Sequence, residues 1–202
     1  MKTLTFCAAF VLIASSALAE PLSFKEARKA LPRANAKPVV EMFQANIPET
    51  DKARLGGTDK SVEKLLRTLG TTVPAYGAVA ISPSEGLFVE WLNGAGQFHS
   101  LAAARAAALD YCDSNRKRGS APCEIVVLVT PKGAKADAAL TLSGPANAAL
   151  RKDYRKLQAP KAFAISEKTG NFGFARGDGG RALSRCEAGG QGASDCKIVV
   201  SD

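Results

Sequence analysis

The chain has 202 residues, with 27 Lys and Arg against 19 Asp and Glu and a single His, a formal net charge of +8. At 46% hydrophobic and 23% charged residues it has the balance of a globular protein, not a disordered one. The length allows one domain or two small ones and excludes large two-lobed cofactor enzymes, and one His disfavours a His-rich metal site or His-centred catalysis.

Residues 1–19 read as a signal peptide. Lys2 gives a positive start, an apolar stretch opens at Leu4, and Ala17-Leu18-Ala19 is a small-x-small cleavage site. The apolar stretch is short of the roughly 20 residues that span a bilayer. The expectation is a periplasmic or secreted protein beginning at Glu20, with no transmembrane anchor after cleavage. Lys2 and Cys7 leave with the signal, so the charge becomes +7 and four of the five cysteines remain. An even number in an exported chain predicts two disulfides, with three possible pairings.

Residues 20–74 are expected to form an N-terminal helical segment. Ser23 precedes a helix over residues 24–31 that Pro32 ends. Pro38, Pro48 and Gly56-Gly57 interrupt the stretch after it. A second helix starts at Thr58 or Asp59 and runs to Leu69, with Val62, Leu65, Leu66 and Leu69 on one face.

Residues 75–131 form a first unit. Ala78-Val79-Ala80-Ile81-Ser82 alternates as a strand does, Pro83-Ser84-Glu85-Gly86 turns, and residues 87–91 are expected to return as a second strand. Ser100 caps an Ala-rich helix over residues 101–114, with Leu101, Ala104, Ala108 and Tyr111–Cys112 as its apolar face. Arg116-Lys117-Arg118 suits the negative end of the helix dipole, and residues 124–130 make an apolar, β-branched strand. Residues 132–159 connect, with a turn over 131–135 and a helix over 145–157 that has Pro at its first position. Residues 160–202 form a second unit: strand 161–166, turn 167–170, strand 171–175, a short helix capped by Asp178, and strand 197–201.

The two units match in three blocks. Ala162-Phe163-Ala164-Ile165-Ser166 repeats Ala78-Val79-Ala80-Ile81-Ser82 at an offset of 84, which also relates Gly86 to Gly170 and Phe88 to Phe172. Ala108-Leu109-Asp110-Tyr111-Cys112 matches Ala182-Leu183-Ser184-Arg185-Cys186, and Cys123-Glu124-Ile125-Val126-Val127 matches Cys196-Lys197-Ile198-Val199-Val200. Such self-similarity predicts a duplicated unit. The fold class expected is α+β, two β-β-α-β units with antiparallel sheet. Each unit would clip the end of its helix to the start of its last strand, which selects Cys112–Cys123 and Cys186–Cys196. A loop of that size contributes about 3 kcal/mol in the chain-entropy model.

The order A-x-A-I-S, Gly, aromatic, an Ala-rich helix ending A-L-x-x-C, then C-x-I-V-V resembles a family of small exported bacterial domains known chiefly as a domain of unknown function. The resemblance covers residues 76–130 well and 160–202 less well. It implies an α+β fold with one helix and one disulfide per unit, in an envelope or secreted setting, and carries over no catalytic residues.

Arg151, Lys152, Arg155 and Lys156 stand as two i,i+4 pairs on the expected connecting helix, a candidate anion-binding face to which Arg116-Lys117-Arg118 could add. His99 beside Ser100 is a weak nucleophile pair, because the nearby cysteines serve disulfides. Arg176-Gly177-Asp178 reads as a turn. Gly177-Asp178-Gly179-Gly180 lacks the Lys-Ser/Thr end of a phosphate loop, and no Cys or His cluster has zinc spacing. No cofactor is expected, and nucleic acid is disfavoured by the few aromatics. The function expected is an exported, non-enzymatic binding or protective module of the bacterial envelope, with an anionic partner as the candidate. The alternatives are an inhibitor or immunity protein blocking a partner enzyme, or a small periplasmic hydrolase or lyase using Glu85, Glu90 or Asp110.

Overall fold

The computed structural model describes residues 20–202 except 57, 72–74, 91, 93 and 191. The signal-peptide expectation therefore falls outside the described residues, as does Trp91. Among the described residues the chain runs α1 (Phe24–Ala30), β1 (Pro38–Met42), α2 (Glu49–Arg54), α3 (Asp59–Thr71), β2 (Tyr76–Ile81), β3 (Gly94–Phe98), α4 (Leu101–Asn115) and β4 (Glu124–Pro131). It continues through α5 (Gly144–Lys152), β5 (Lys161–Ile165), β6 (Phe172–Arg176), α6 (Gly180–Glu187) and β7 (Lys197–Ser201). Two antiparallel sheets result, ordered β1-β4-β2-β3 and β6-β5-β7. The fold is α+β, and each sheet contains one β-β-α-β unit with its own disulfide. Cys112 bonds Cys123 and Cys186 bonds Cys196, each pair with Cα atoms 6.1 Å apart. No helix among the described residues is long and apolar enough to cross a membrane.

The units agree in pairing as well as in order. In each, the opening strand is central, flanked by its return strand and its last strand. Ala78 faces Leu128 and Val79 faces Val127; Ala162 faces Ser201 and Phe163 faces Val200. The register then slips at the same place, between Val79 and Ala80 and between Phe163 and Ala164. The turns match too. Gly86 N–H donates to Ser82 C=O at 2.9 Å and Gly170 N–H to Ser166 C=O at 3.0 Å, with φ of +80° and +75°. Both serines are buried and donate to the loop before the last strand, Ser82 to Ala121 C=O at 2.8 Å and Ser166 to Asp195 at 2.5 Å.

Period-two alternation sorts side chains by size onto the two faces. Ala78 and Ala80 lie with Ala104, Ala108 and Cys112 of α4, while Val79 and Ile81 turn to Val62 and Leu66 of α3. Ala162 and Ala164 likewise lie under Ala182 and Cys186 of α6, while Phe163 and Ile165 turn to α1 and α5. Alanine on both partners lets the disulfide-bearing helix sit close to its sheet; the large residues build the thicker core on the far side.

Several expectations are corrected. Residues 20–74 are not one helical segment. Residues 38–42 form β1, an edge strand, where the leading Pro38 withholds no needed N–H. The segment also divides between the sheets. Leu22 exchanges backbone hydrogen bonds with Val199 and Ser201 of β7, while α2 and α3 serve the first sheet. Buried Asp51 of α2 accepts from Leu87 N–H at 2.6 Å. That bond draws residues 87–90 out of the sheet, leaving Phe88 half-exposed under Arg54, so the return strand begins at Gly94 instead of Leu87. Phe88 and Phe172 are thus not equivalent. Tyr111 is exposed rather than on the buried face of α4. The short helix starts after Gly179, and Asp178 caps only through Gly180 N–H at 3.2 Å.

Candidate functional site

The connecting helix does not continue through residue 157. Helix α5 ends at Lys152, Asp153 caps it, and Tyr154–Lys156 is a 3-10 turn. Tyr154 forces the break: its ring is fully buried against Phe163 and Phe174, and its hydroxyl donates to the Asp202 carboxylate at 3.0 Å. Burial first, then the hydrogen bond to Asp202 and its charge, push that phenol well above its ordinary range. The four cations therefore do not form two i,i+4 pairs on one helical face.

They are not equivalent either. Arg151 is half-buried and holds the end of α1. Its Nε donates to Asn147 Oδ1 at 2.8 Å, and its Nη2 lies 3.1, 3.0 and 3.0 Å from the carbonyls of Arg28, Leu31 and Pro32. Asn147 adds a bond to Pro32 C=O at 3.0 Å. The Arg28 and Leu31 carbonyls belong to the end of α1, where a helix leaves carbonyls unsatisfied and positive charge is favoured, and Pro32 follows directly. Burial, and then the neighbouring Arg28 charge, lower the pKa of the Arg151 guanidinium.

The same contact adds cations that the sequence had placed in a separate segment. Joining α1 to α5 brings Lys25, Arg28, Lys29 and Arg33 to the layer that carries Arg151, Lys152, Arg155 and Lys156. Residues 24–33 and 144–157 hold these eight cations against two acids, Glu26 and Asp153. Those 24 residues carry six of the seven net positive charges of residues 20–202. Glu26 is engaged by the Ser23 capping box, and Asp153 approaches Lys156 only at 4.0 Å. Every cation of the layer but Arg151 is exposed. Helix dipoles favour Arg28, Lys29, Arg151 and Lys152 in the last turns, but Arg33, Arg155 and Lys156 lie beyond the helix ends.

Arg116-Lys117-Arg118 does not join this layer. Arg116 folds the first disulfide loop, bonding Asp113 at 2.7 Å and the Ser120 carbonyl, and Lys117 N–H is held by Glu85 at 2.7 Å. Fifteen residues of α4, about 22 Å of helix, separate that loop from the seam between the units.

The seam itself is pinned by His99, which is fully buried between the end of β3 and the start of α4. Its Nδ1 accepts from Ser143 N–H at 3.1 Å, so the proton sits on Nε2, which donates to Asn171 C=O at 2.9 Å. Burial lowers its pKa, opposed by the Asn171 bond and the charges of Glu167 and Asp195. Both ring nitrogens are engaged, so His99 has none to offer Ser100. Ser100 Oγ caps Ala103 N–H at 3.1 Å and lies 3.4 Å from Glu167. Beside it, a groove of about 530 Å³ runs between the alanines of α4 and Glu167-Lys168. The three carboxylates weighed as catalysts do not converge. Glu85 holds the disulfide loop, Asp110 lines the α4 groove, and Glu90 is exposed in the turn after Leu87. Arg176-Gly177-Asp178 is the turn between β6 and α6.

Comparison with protein-family models, with curated proteins and with solved structures finds no match to this chain.

Proposed function

We propose that the chain is an exported, non-enzymatic binding module of the bacterial envelope, built by duplication of a disulfide-clipped β-β-α-β unit, and that it engages an anionic partner through the α1–α5 layer. The observation that carries this reading is the concentration of six of the seven net charges on 24 residues that pack together. Charge spread evenly would serve solubility; charge gathered on one layer attracts and orients an anionic partner. The side chains best suited to acid–base chemistry are engaged elsewhere, His99 as a strut between units and Asp51 and Asp195 as acceptors of backbone N–H groups from Leu87 and Lys168. The resemblance to small exported bacterial domains supports the setting, and two disulfides fit an oxidising compartment. A pull-down from envelope extract with the disulfide-intact protein tests the reading. The expected result is capture of anionic material that elutes with salt; capture unaffected by salt, or turnover of an envelope substrate, overturns it.

A further inference from the structure

We infer that the partner of the α1–α5 layer is an acidic polysaccharide. This rests on the anionic-partner reading above and narrows it. Three features of the layer decide among anions. First, its cations are long, exposed side chains, and the one guanidinium held in fixed geometry, Arg151, already faces three carbonyls. A single phosphate or carboxylate is read by donors locked in place; a layer of exposed cations suits a repeating polyanion that makes many weak contacts.

Second, the apolar sides of both helices are turned inward. Ala27 and Leu31 at α1, and Ala146, Leu150 and Tyr154 at α5, lie in the core of the second sheet. Among the described residues the exposed large hydrophobic side chains are Val39 on β1, Phe88 in the turn after β2 and Tyr111 on α4, none of them on α1 or α5. A helix that lies in a membrane interface does so by burying an apolar face, and this layer offers none. Third, single-stranded nucleic acid is held by aromatic platforms. The aromatics of the layer, Phe24 and Tyr154, are packed against the core and carry the Lys161 ammonium over their rings.

The test is binding of the disulfide-intact protein to polygalacturonate, followed by affinity electrophoresis and calorimetry across a salt series. A variant with Arg28, Lys29, Arg33, Lys152, Arg155 and Lys156 changed to Gln leaves Arg151, and so the α1–α5 joint, in place. A control with Lys60, Lys64, Arg105, Lys117, Arg118 and Lys132 changed to Gln removes the same charge elsewhere. Circular dichroism and urea midpoints establish that both are folded. The expected result is binding that fades as salt rises, weakened at least about tenfold in the layer variant with a shallower salt slope, and less than about threefold in the control. Equal loss in both variants overturns the assignment to this layer. Stronger binding of the parent to phosphatidylglycerol vesicles or to single-stranded DNA than to polygalacturonate overturns the polysaccharide and leaves the anionic-partner reading standing. Failure to bind all three at low salt overturns both.

Discussion

Acidification should loosen the seam between the units through His99. The folded protein holds the imidazole neutral, with its pKa below the ordinary value of about 6.5, because the ring is buried and Nδ1 must accept from Ser143 N–H. An unfolded chain takes up the proton at about pH 6.5 and the folded chain resists it. The stability His99 supplies is therefore complete above that pH and is lost as pH falls toward the folded value. Within that window one proton gives a slope of up to about 1.4 kcal/mol per pH unit. Glu167 and Asp195 are the charged groups that oppose the shift, and they narrow the window. No second His adds a slope of its own, since the chain has one. His99→Leu replaces the ring with an apolar side chain of similar bulk. It leaves buried Ser143 N–H without its acceptor, at a cost of about 1–3 kcal/mol, while Asn171 C=O keeps the Ser166 N–H at 2.9 Å. Urea denaturation followed by tryptophan fluorescence and far-UV circular dichroism, repeated from pH 7.5 to about pH 5.5, measures both effects. The parent should lose stability toward acid, and His99→Leu should be weaker at neutral pH but flatter across the range. A parent that is flat, or a variant with the same slope, refutes the neutral-strut account of His99.

The α1–α5 joint predicts that neighbouring cations behave differently. Arg151→Gln should cost about 2 kcal/mol, since it releases charge-assisted bonds to the end of α1, whereas exposed Lys152→Gln should stay within about 0.5 kcal/mol; urea midpoints compare them. The seam predicts that turn glycines differ as well. A Cβ at Gly170 would lie 2.5 Å from the Gln97 carbonyl in addition to requiring φ +75°, while Gly133, at φ +85°, has open space around it. Gly170→Ala should therefore lower the melting temperature clearly more than Gly133→Ala, and equal effects would show that the approach of Gln97 is not a constraint.

Local chemistry made much of the architecture legible before any tertiary structure. Ser23 and Ser100 announce helix starts because a hydroxyl satisfies an orphan N–H within its own turn, and both cap the helices that follow them. The A-x-A-I pattern announces a strand because period-two alternation is a property of the extended chain itself. The disulfide pairing followed from two cysteines recurring at the same places in two similar stretches, helix end and strand start.

What the sequence could not decide depended on groups far apart along the chain. Residues 87–91 have the composition of a strand, but Asp51, 36 positions away, captures Leu87 N–H, and residues 87–90 run outside the sheet. Pro38 reads only as a break in the N-terminal helical segment, and only β4 as a neighbour makes an edge strand of residues 38–42. Helix α5 stops where a buried Tyr154 must reach Asp202, 48 positions on. The candidate face changed most. In sequence, four cations on the connecting helix looked alike, and four more near the N-terminus looked unrelated. Local pattern reports the type of a charge and its neighbours within a few turns, but not which distant carbonyls will surround it. Only packing decided that Arg151 is a joint, that its partners are exposed, and that the two sets of cations form one layer.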